Sequence, residues 1–394
     1  MEMPKEYKGR EQAFVKHTIL STYIARLFMI IGQREVVINY VDCFAGPWGD
    51  ESEDLRTTSI GISIAQMESC VEGLQEIFGR QVKFRALYIE KNSKAYSRLL
   101  AFVEKYHSPS IELKCKQGDY SELIKEIVEW CDGHFTFFFI DPKGWNQISA
   151  KTLSPLLQMG KSEFLINLMY DFANRAASIK NHKNDMIELL GEAPNLEGQD
   201  PAERQYTFLT MYRERLKEYH RGWTSYVRIE RPGQDRLLYF LVYLTRHPIG
   251  IHKFKEEAEK LEKVQRTTHI ETKLRKQFEK SSNLDIFNST EIQISNTDNH
   301  SNLYAAKNFL IDALSDGPLL IDNECWARFL EISDFFPSEL QKAMKELFDE
   351  EIVQNLDENV RKRRTKIIKP DWPNKSERWA LVKTNKSNGR QGPN

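Results

Sequence analysis

The chain has 394 residues, a length that allows one to three domains. Hydrophobic residues make up 40%, enough to build a real core, and the formal net charge is −1, so the molecule as a whole is not a polyanion binder by bulk electrostatics. Any nucleic-acid surface must come from local segregation of charge.

Five cysteines, Cys43, Cys70, Cys115, Cys131 and Cys325, are scattered without a CxxC pair, which argues against a zinc site or an iron–sulfur cluster, and no metal is expected. Their odd number and a polar, charged stretch from Met1 to Arg10 that does not read as a signal peptide give a cytoplasmic expectation with reduced thiols. No apolar run reads as approaching the roughly 20 residues of a membrane span, so no membrane partner is expected.

Residues 11–32 carry Phe14, Ile19, Leu20, Tyr23, Ile24, Leu27 and Phe28 at helical spacing. The run from Val36 to Asp42 is short, apolar and rich in β-branched residues, and predicts a buried strand. A turn follows, from Phe44 to Gly49, and a helix begins near Thr58. Strands are predicted from Phe84 to Ile89 (ending in Glu90), from Ile111 to Lys116, from Phe135 to Ile140, and from Phe164 to Met169, with helices at 93–105 and 121–131 between them. Apolar strands separated by helices imply a parallel sheet covered on both faces. Thr224 to Ile229 and Leu237 to Thr245 then read as a hairpin, so the fold class is α/β. The plan resembles that of a Rossmann-like class I methyltransferase sheet, parallel strands closed by an antiparallel pair. Helices at 171–222 are an insertion, and 252–280 is a charged helix with few apolar residues.

The first domain therefore covers 1–280, and polar residues 281–301 read as a linker. Residues 302–385 predict a winged helix. It has a helix from Tyr304 to Leu314, a second around 324–330, and a third over 339–349 with Ser338 as N-cap. The strands follow at 352–356 and 365–369, with a possible third from Trp379 to Val382. Residues 386–394 read as a flexible tail. Positions 360–390 hold 11 Lys or Arg against two acids. Arg361, Lys362, Arg363, Arg364 and Lys366 sit at the expected wing tip, where phosphates of DNA or RNA would be met. A protein-binding winged helix with a solvated basic wing is the other reading.

In a doubly wound sheet, ligands sit at the carboxyl ends of the strands. Here those ends are occupied in order by Asp42, Glu90, Asp119 and Asp141. Phe44, Ala45, Gly46 and Pro47 follow the first strand, and Gly46 allows close backbone approach. Glu90, followed by Lys91, stands where an acid accepts from both hydroxyls of a ribose. Asp119 would accept from an adenine amino group, with Tyr120 or Ile89 against the ring. The expected cofactor is S-adenosylmethionine (SAM). Each acid taken alone is also an ordinary helix cap, and Glu90 lies 48 residues after Asp42 rather than the usual ~20.

The segment Tyr40-Val41-Asp42-Cys43-Phe44-Ala45-Gly46-Pro47-Trp48 resembles the three-Cys-motif partner (TcmP) family. The likeness includes Lys16-His17, Leu20 and Tyr23 upstream, and Thr58-Ser59, Ile64-Ala65 and Ile140-Asp141-Pro142 downstream. Tyr239-Phe240-Leu241 and His247-Pro248 with Gly250 complete it over roughly residues 10–260. The resemblance implies a SAM-binding Rossmann fold and a partner protein of iron–sulfur type that carries the three cysteines. Trp48 replaces a glycine found in many relatives. Asp141-Pro142-Lys143-Gly144-Trp145 is similar to the segment with which amino-methyltransferases orient a base amine. The carboxylate and a carbonyl would accept from the amine while the aromatic ring stacks. Lys143 stands in place of a second proline, and Trp145 also reads as a loop aromatic under the insertion. No Pro-Cys dipeptide exists for C5-cytosine chemistry, and Cys43 reads as a small core residue. Asn167, Tyr170, Asp171, Asn174 and Arg175 could line the substrate side, and Lys16-His17 either approaches the site or lies on a solvated helix face. The leading expectation is a nucleic-acid methyltransferase. The alternatives are a SAM-binding partner subunit of a bacterial defence or mobile-element system with weak or lost transfer, and an enzyme that methylates its partner protein.

Overall fold

The computed structural model describes residues 3–46, 55–145, 147–177, 182–234, 236–280, 298–357 and 376–382. The chain divides into two compact units, Met1–Phe287 and Asn288–Asn394.

The first unit is built on seven strands: β1 Val37–Asp42, β2 Lys83–Glu90, β3 Ile111–Gln117, β4 Phe135–Ile140, β5 Ser162–Leu168, β6 Trp223–Glu230 and β7 Leu237–Thr245. Their order in the sheet is β3-β2-β1-β4-β5-β7-β6. Strands β1 to β5 pair in parallel, and β7 runs antiparallel to both β5 and β6. The fold is thus a mostly parallel, Rossmann-like α/β sheet, as the alternating pattern predicts.

The apolar strands have no polar face because both faces are covered. On one face, Phe138 stacks on Phe164 (4.9 Å between centroids) within a core supplied by helices α4 Tyr120–Cys131, α5 Ala150–Leu157, α7 Lys183–Leu190 and α8 Pro201–His220. On the other, Tyr23 and Phe28 of helix α1 (Glu11–Ile31) meet Phe137 and Phe84. Helix α1 also packs on α2 (Ser59–Phe78) and α9 (Pro248–Lys280). Helices α3 (Ser93–Lys105) and α6 (Tyr170–Ala177) complete the unit. Thr58 caps α2 by accepting from the Gly61 amide at 3.3 Å, as its type predicts.

Two expectations are corrected. By length and hydropathy α1 does pass as a membrane span, although half of its most apolar window is buried inside the unit. Helix α9 is not a plain charged helix: it begins at Pro248 and buries Ile251, Phe254, Ala258 and Leu261. Its buried Glu257 is paired, accepting from Arg26 Nη1 and Lys260 Nζ, both at 2.8 Å. Pairing is what makes a buried charge tolerable.

The second unit has helices α10 Asp298–Ala313, α11 Asn323–Ile332 and α12 Pro337–Asp349, and strands β8 Leu319–Ile321, β9 Val353–Asn355 and β10 Glu377–Leu381. The strands form an antiparallel sheet in the order β8-β10-β9, over fully buried Trp326 and Trp379. Helix α10 begins inside the expected linker. Strand β8 was not expected: three residues give no readable period, and its partner Glu377 pairs with Ile321 from far along the chain. Ser338 is not the N-cap of α12. Phe336 holds that position, and Pro337 starts the helix because its fixed φ suits the first turn. The strand expected at 365–369 and the basic residues Arg361, Lys362, Arg363, Arg364 and Lys366 lie outside the described residues.

Candidate functional site

The strand order reverses between β1 and β4, since β1 connects onward to β2 on one side while β4 lies on the other. Adjacent helices diverge at such a point and leave a crevice at the carboxyl edge. A cleft of about 940 Å³ lies there. Backbone bonds stitch its floor: Cys43 N donates to Phe139 O at 3.0 Å, Ala45 N to Ile89 O at 2.8 Å, and Gly118 N to Glu90 O at 3.1 Å.

Of the expected site residues, Phe44, Gly46, Glu90, Lys91, Asp119, Tyr120, Asp141, Pro142 and Lys143 line this cleft. Ala45 is buried beneath it, and Pro47 lies outside the described residues. Trp145 is not among the lining residues. Its ring meets His182 edge-on at 5.9 Å and packs on the core, which corrects the stacking role expected of it. The segment between Asp141 and α5 turns this indole toward the helical insertion.

The four strand-end acids play four different parts. Asp42 has no solvent exposure and does not line the cleft. Its Oδ1 accepts from Phe44 N at 3.0 Å and its Oδ2 from Ser59 Oγ at 2.5 Å, so it ties the loop after β1 to the start of α2. The expectation of direct cofactor contact by Asp42 is corrected accordingly. Burial pushes its pKa up to about 7, against the hydrogen bonds from Ser59 and Phe44.

Glu90 is nearly buried, yet it lines the cleft. Oε1 accepts from Asn92 N at 2.5 Å, while Oε2 has no hydrogen-bond partner among the described residues. Asn92, not Glu90, caps α3, through the amides of Lys94 and Ala95 at 3.0 Å. Asp119 does cap α4, accepting from Ser121 N at 3.0 Å. Its Oδ2 accepts from Gln147 Nε2 at 2.9 Å and Lys91 Nζ at 3.0 Å. Burial raises the Asp119 pKa, but the bonds from Ser121 and Lys91 outweigh it and leave the group below its ordinary value. Gly118, beside it, sits at φ +151°, and a Cβ there would come within 3.0 Å of Leu123. That close approach is a reason for glycine.

Asp141 is engaged from two sides. Lys16 of α1 forms an ion pair with Oδ2, and Asn167 Nδ2 of β5 donates to Oδ1 at 2.6 Å. Asn167 Oδ1 is buried without a partner among the described residues. Lys16 and His17 both line the cleft, so the first helix does approach the site. Burial holds the His17 imidazole well below its ordinary pKa, and Tyr7 Oη lies 3.0 Å from its Nδ1. Asn167, Asp171 and Arg175 also line the cleft. Tyr170 instead packs edge-on against Phe208 and Phe240, and Asn174 is not a lining residue.

Sequence reading missed Arg10, Phe172, Arg231 and Arg236, all of which line the mouth. The last two flank the β6–β7 turn. The signal for them was topological: because β7 is antiparallel to β5, that turn must lie at the carboxyl edge.

No family model matches the chain, and no curated protein matches it. Among solved structures it is similar to the protein LPL1258 from Legionella pneumophila str. Philadelphia 1, family model DUF519. That similarity is at 11% identity, with 64% of this chain and 92% of that chain covered and a TM-score of 0.38. At that level the likeness adds nothing to the reading of the cleft.

Proposed function

We propose that the first unit is a class I SAM-dependent methyltransferase domain acting on nucleic acid. The observation that carries the reading is Glu90: a nearly buried carboxylate at the end of β2, one oxygen held by Asn92 and the other unpartnered in the cleft. That oxygen opens into the cleft, where a ribose hydroxyl pair would be a donor set suited to a carboxylate. Gly46 lines the cleft without a side chain, and Ile89 offers an apolar wall for adenine. The sheet order, with an antiparallel β7 beside β5, is the plan of class I methyltransferases.

SAM, when bound, would supply a sulfonium methyl group to a target amine, whose lone pair would form the N–C bond while sulfur kept the C–S electrons and the amine's proton passed to solvent. In this reading Asp141 and Asn167 accept from that amine, which is supported by their shared position on the cleft and by the Lys16 ion pair to Asp141. Pro142 and Lys143 border the same spot. The second unit's order, helix–strand–helix–helix–strand–strand, supports the winged-helix reading, with the 361–366 basic residues as phosphate contacts. The resemblance to the three-Cys-motif partner family, its iron–sulfur-type partner protein and a cytoplasmic location belong to the same proposal.

A second reading has its own support. Both Asp141 oxygens are already engaged by Lys16 and Asn167, which favours a SAM-binding subunit whose transfer is weak. Calorimetry with SAM on wild type and Glu90→Ala tests the cofactor. Loss of the ribose acceptor should cost about 1.5–3 kcal/mol per charged hydrogen bond, and unchanged affinity in the folded variant refutes the assignment. Tritiated-methyl transfer to DNA, RNA and the partner protein then separates an active enzyme from a binding subunit.

A further inference from the structure

The cleft is electrically divided. Its β2–β3 half presents the carboxylates Glu90 and Asp119, the second paired with Lys91. The other half, at the ends of β4, β5 and β7, presents Lys143, Arg175, Arg231 and Arg236. Its carboxylates are Asp141, paired with Lys16, and Asp171. Asp171, at the start of α6, serves as a bracket: Arg236 donates to its Oδ1 at 2.5 Å, and Arg175 Nη2 lies 3.3 Å from its Oδ2. The bracket joins α6 to the β6–β7 turn. The Arg175 and Arg236 side chains stay 58% and 47% exposed, so donors remain turned to solvent. Arg231 starts the turn and is exposed. Beside them Phe172 is 48% exposed, with the Arg175 guanidinium over one side of its ring, 4.8 Å from the ring centre.

Arginines spaced along a rim, two of them (Arg175 and Arg236) fixed by a shared carboxylate, beside an exposed ring, match the chemistry of a single-stranded polynucleotide. Phosphates take the forked guanidinium donors. A base stacks on a ring face without regard to its identity. An acidic peptide would use the arginines but leave the ring without a planar partner. The geometry points to the following: α6 and the β6–β7 turn form a substrate rim, on which Arg231 and Arg236 take successive phosphates and Phe172 stacks the base next to the one entering the cleft. This rests on the proposed reading of the cleft as a substrate site.

Fluorescence anisotropy of labelled single-stranded RNA and DNA with the full chain tests it, across a salt series. Arg231→Ser and the double variant Arg231→Ser/Arg236→Ser should bind more weakly. Each lost phosphate contact should flatten the log–log salt slope by about 0.7. Phe172→Ala should lose roughly fivefold to a hundredfold in affinity with an unaltered slope, since stacking releases no counterions. Arg231→Ser alone leaves the Asp171 bracket intact, so a folding defect cannot mimic its effect. Slopes and affinities equal to wild type in all variants overturn the rim, as does a wild type that binds neither strand. SAM calorimetry on the same proteins separates the two ideas. Rim effects without SAM binding sink the methyltransferase reading and leave the rim standing. SAM binding without rim effects does the reverse.

Discussion

Asp42 carries a carboxylate where no solvent reaches, and that has a thermodynamic sign. With a folded pKa near 7 and an unfolded value near 3.8, the folded chain holds a proton that the unfolded chain releases between those pH values. Stability therefore falls as pH rises through that window, by about 4 kcal/mol over its width. His17 and His220, held neutral by burial, act in the opposite direction below their ordinary pKa. Total stability is thus a poor reporter, and the difference between wild type and Asp42→Asn isolates the carboxylate. Asparagine keeps an acceptor for Phe44 N–H and cannot ionise. Urea unfolding at several pH values should show the variant gaining on wild type from pH 4 to pH 7 and level above it; parallel curves refute the burial argument. Lys16→Ala gives a second expectation at this scale. Among the described residues Asp141 is then held by Asn167 alone, and if the proposed reading holds, methyl transfer should drop while SAM affinity stays close to wild type. Glu90, Asp119 and Asp141 were legible in the sequence because strand ends are legible. The burial of Asp42 was not, since it depends on Ser59 returning over the strand, which spacing does not encode.

The inner strands β1, β4, β5 and β7 were readable for a physical reason: each is a largely apolar run buried on both faces, whereas the edge strands β3 and β6 carry charged residues and are only partly buried. Even so, the sheet order came from pairing, not from pattern, and with it the location of the β6–β7 turn. Short strands such as β8 lie beyond pattern reading altogether, because three residues acquire strand character only from a partner across the fold. Helix α1 is held by apolar burial along a whole face, with Ile19, Leu20 and Ile24 fully buried. It also contributes Tyr23, whose hydroxyl donates to the buried Glu163 at 2.7 Å. Leu20→Ala removes core volume from this helix and should lower stability by about 2–5 kcal/mol. Denaturant unfolding followed by tryptophan fluorescence measures it, and a change below about 0.5 kcal/mol would mean α1 is not integral to the core.

Across the whole chain, near-neutral charge hides segregation, and the densest cationic run is at 361–366. Replacing Arg361, Lys362, Arg363 and Arg364 with Ser should flatten the salt dependence of duplex binding by about two to four units, at −0.9 per contact. Sequence preference should hardly move, because phosphate contacts position without reading bases. Equal slopes would turn the second unit into a protein-binding module.

The place of α1 in the chain has one more consequence. It is the first helix of the unit made, yet one of the elements it packs on, α9, is made last. Arg26 waits for Glu257, and Glu11 for Arg275. At a translation rate of about 5–20 residues per second, the interval is roughly ten to fifty seconds. Throughout it, a 21-residue helix of membrane-span hydropathy leaves the ribosome without its final cover. Until α9 is made the apolar face of α1 lacks one of its covers, and the cleft, which has Lys16 of that same helix in its lining, is completed only when α9 closes over α1.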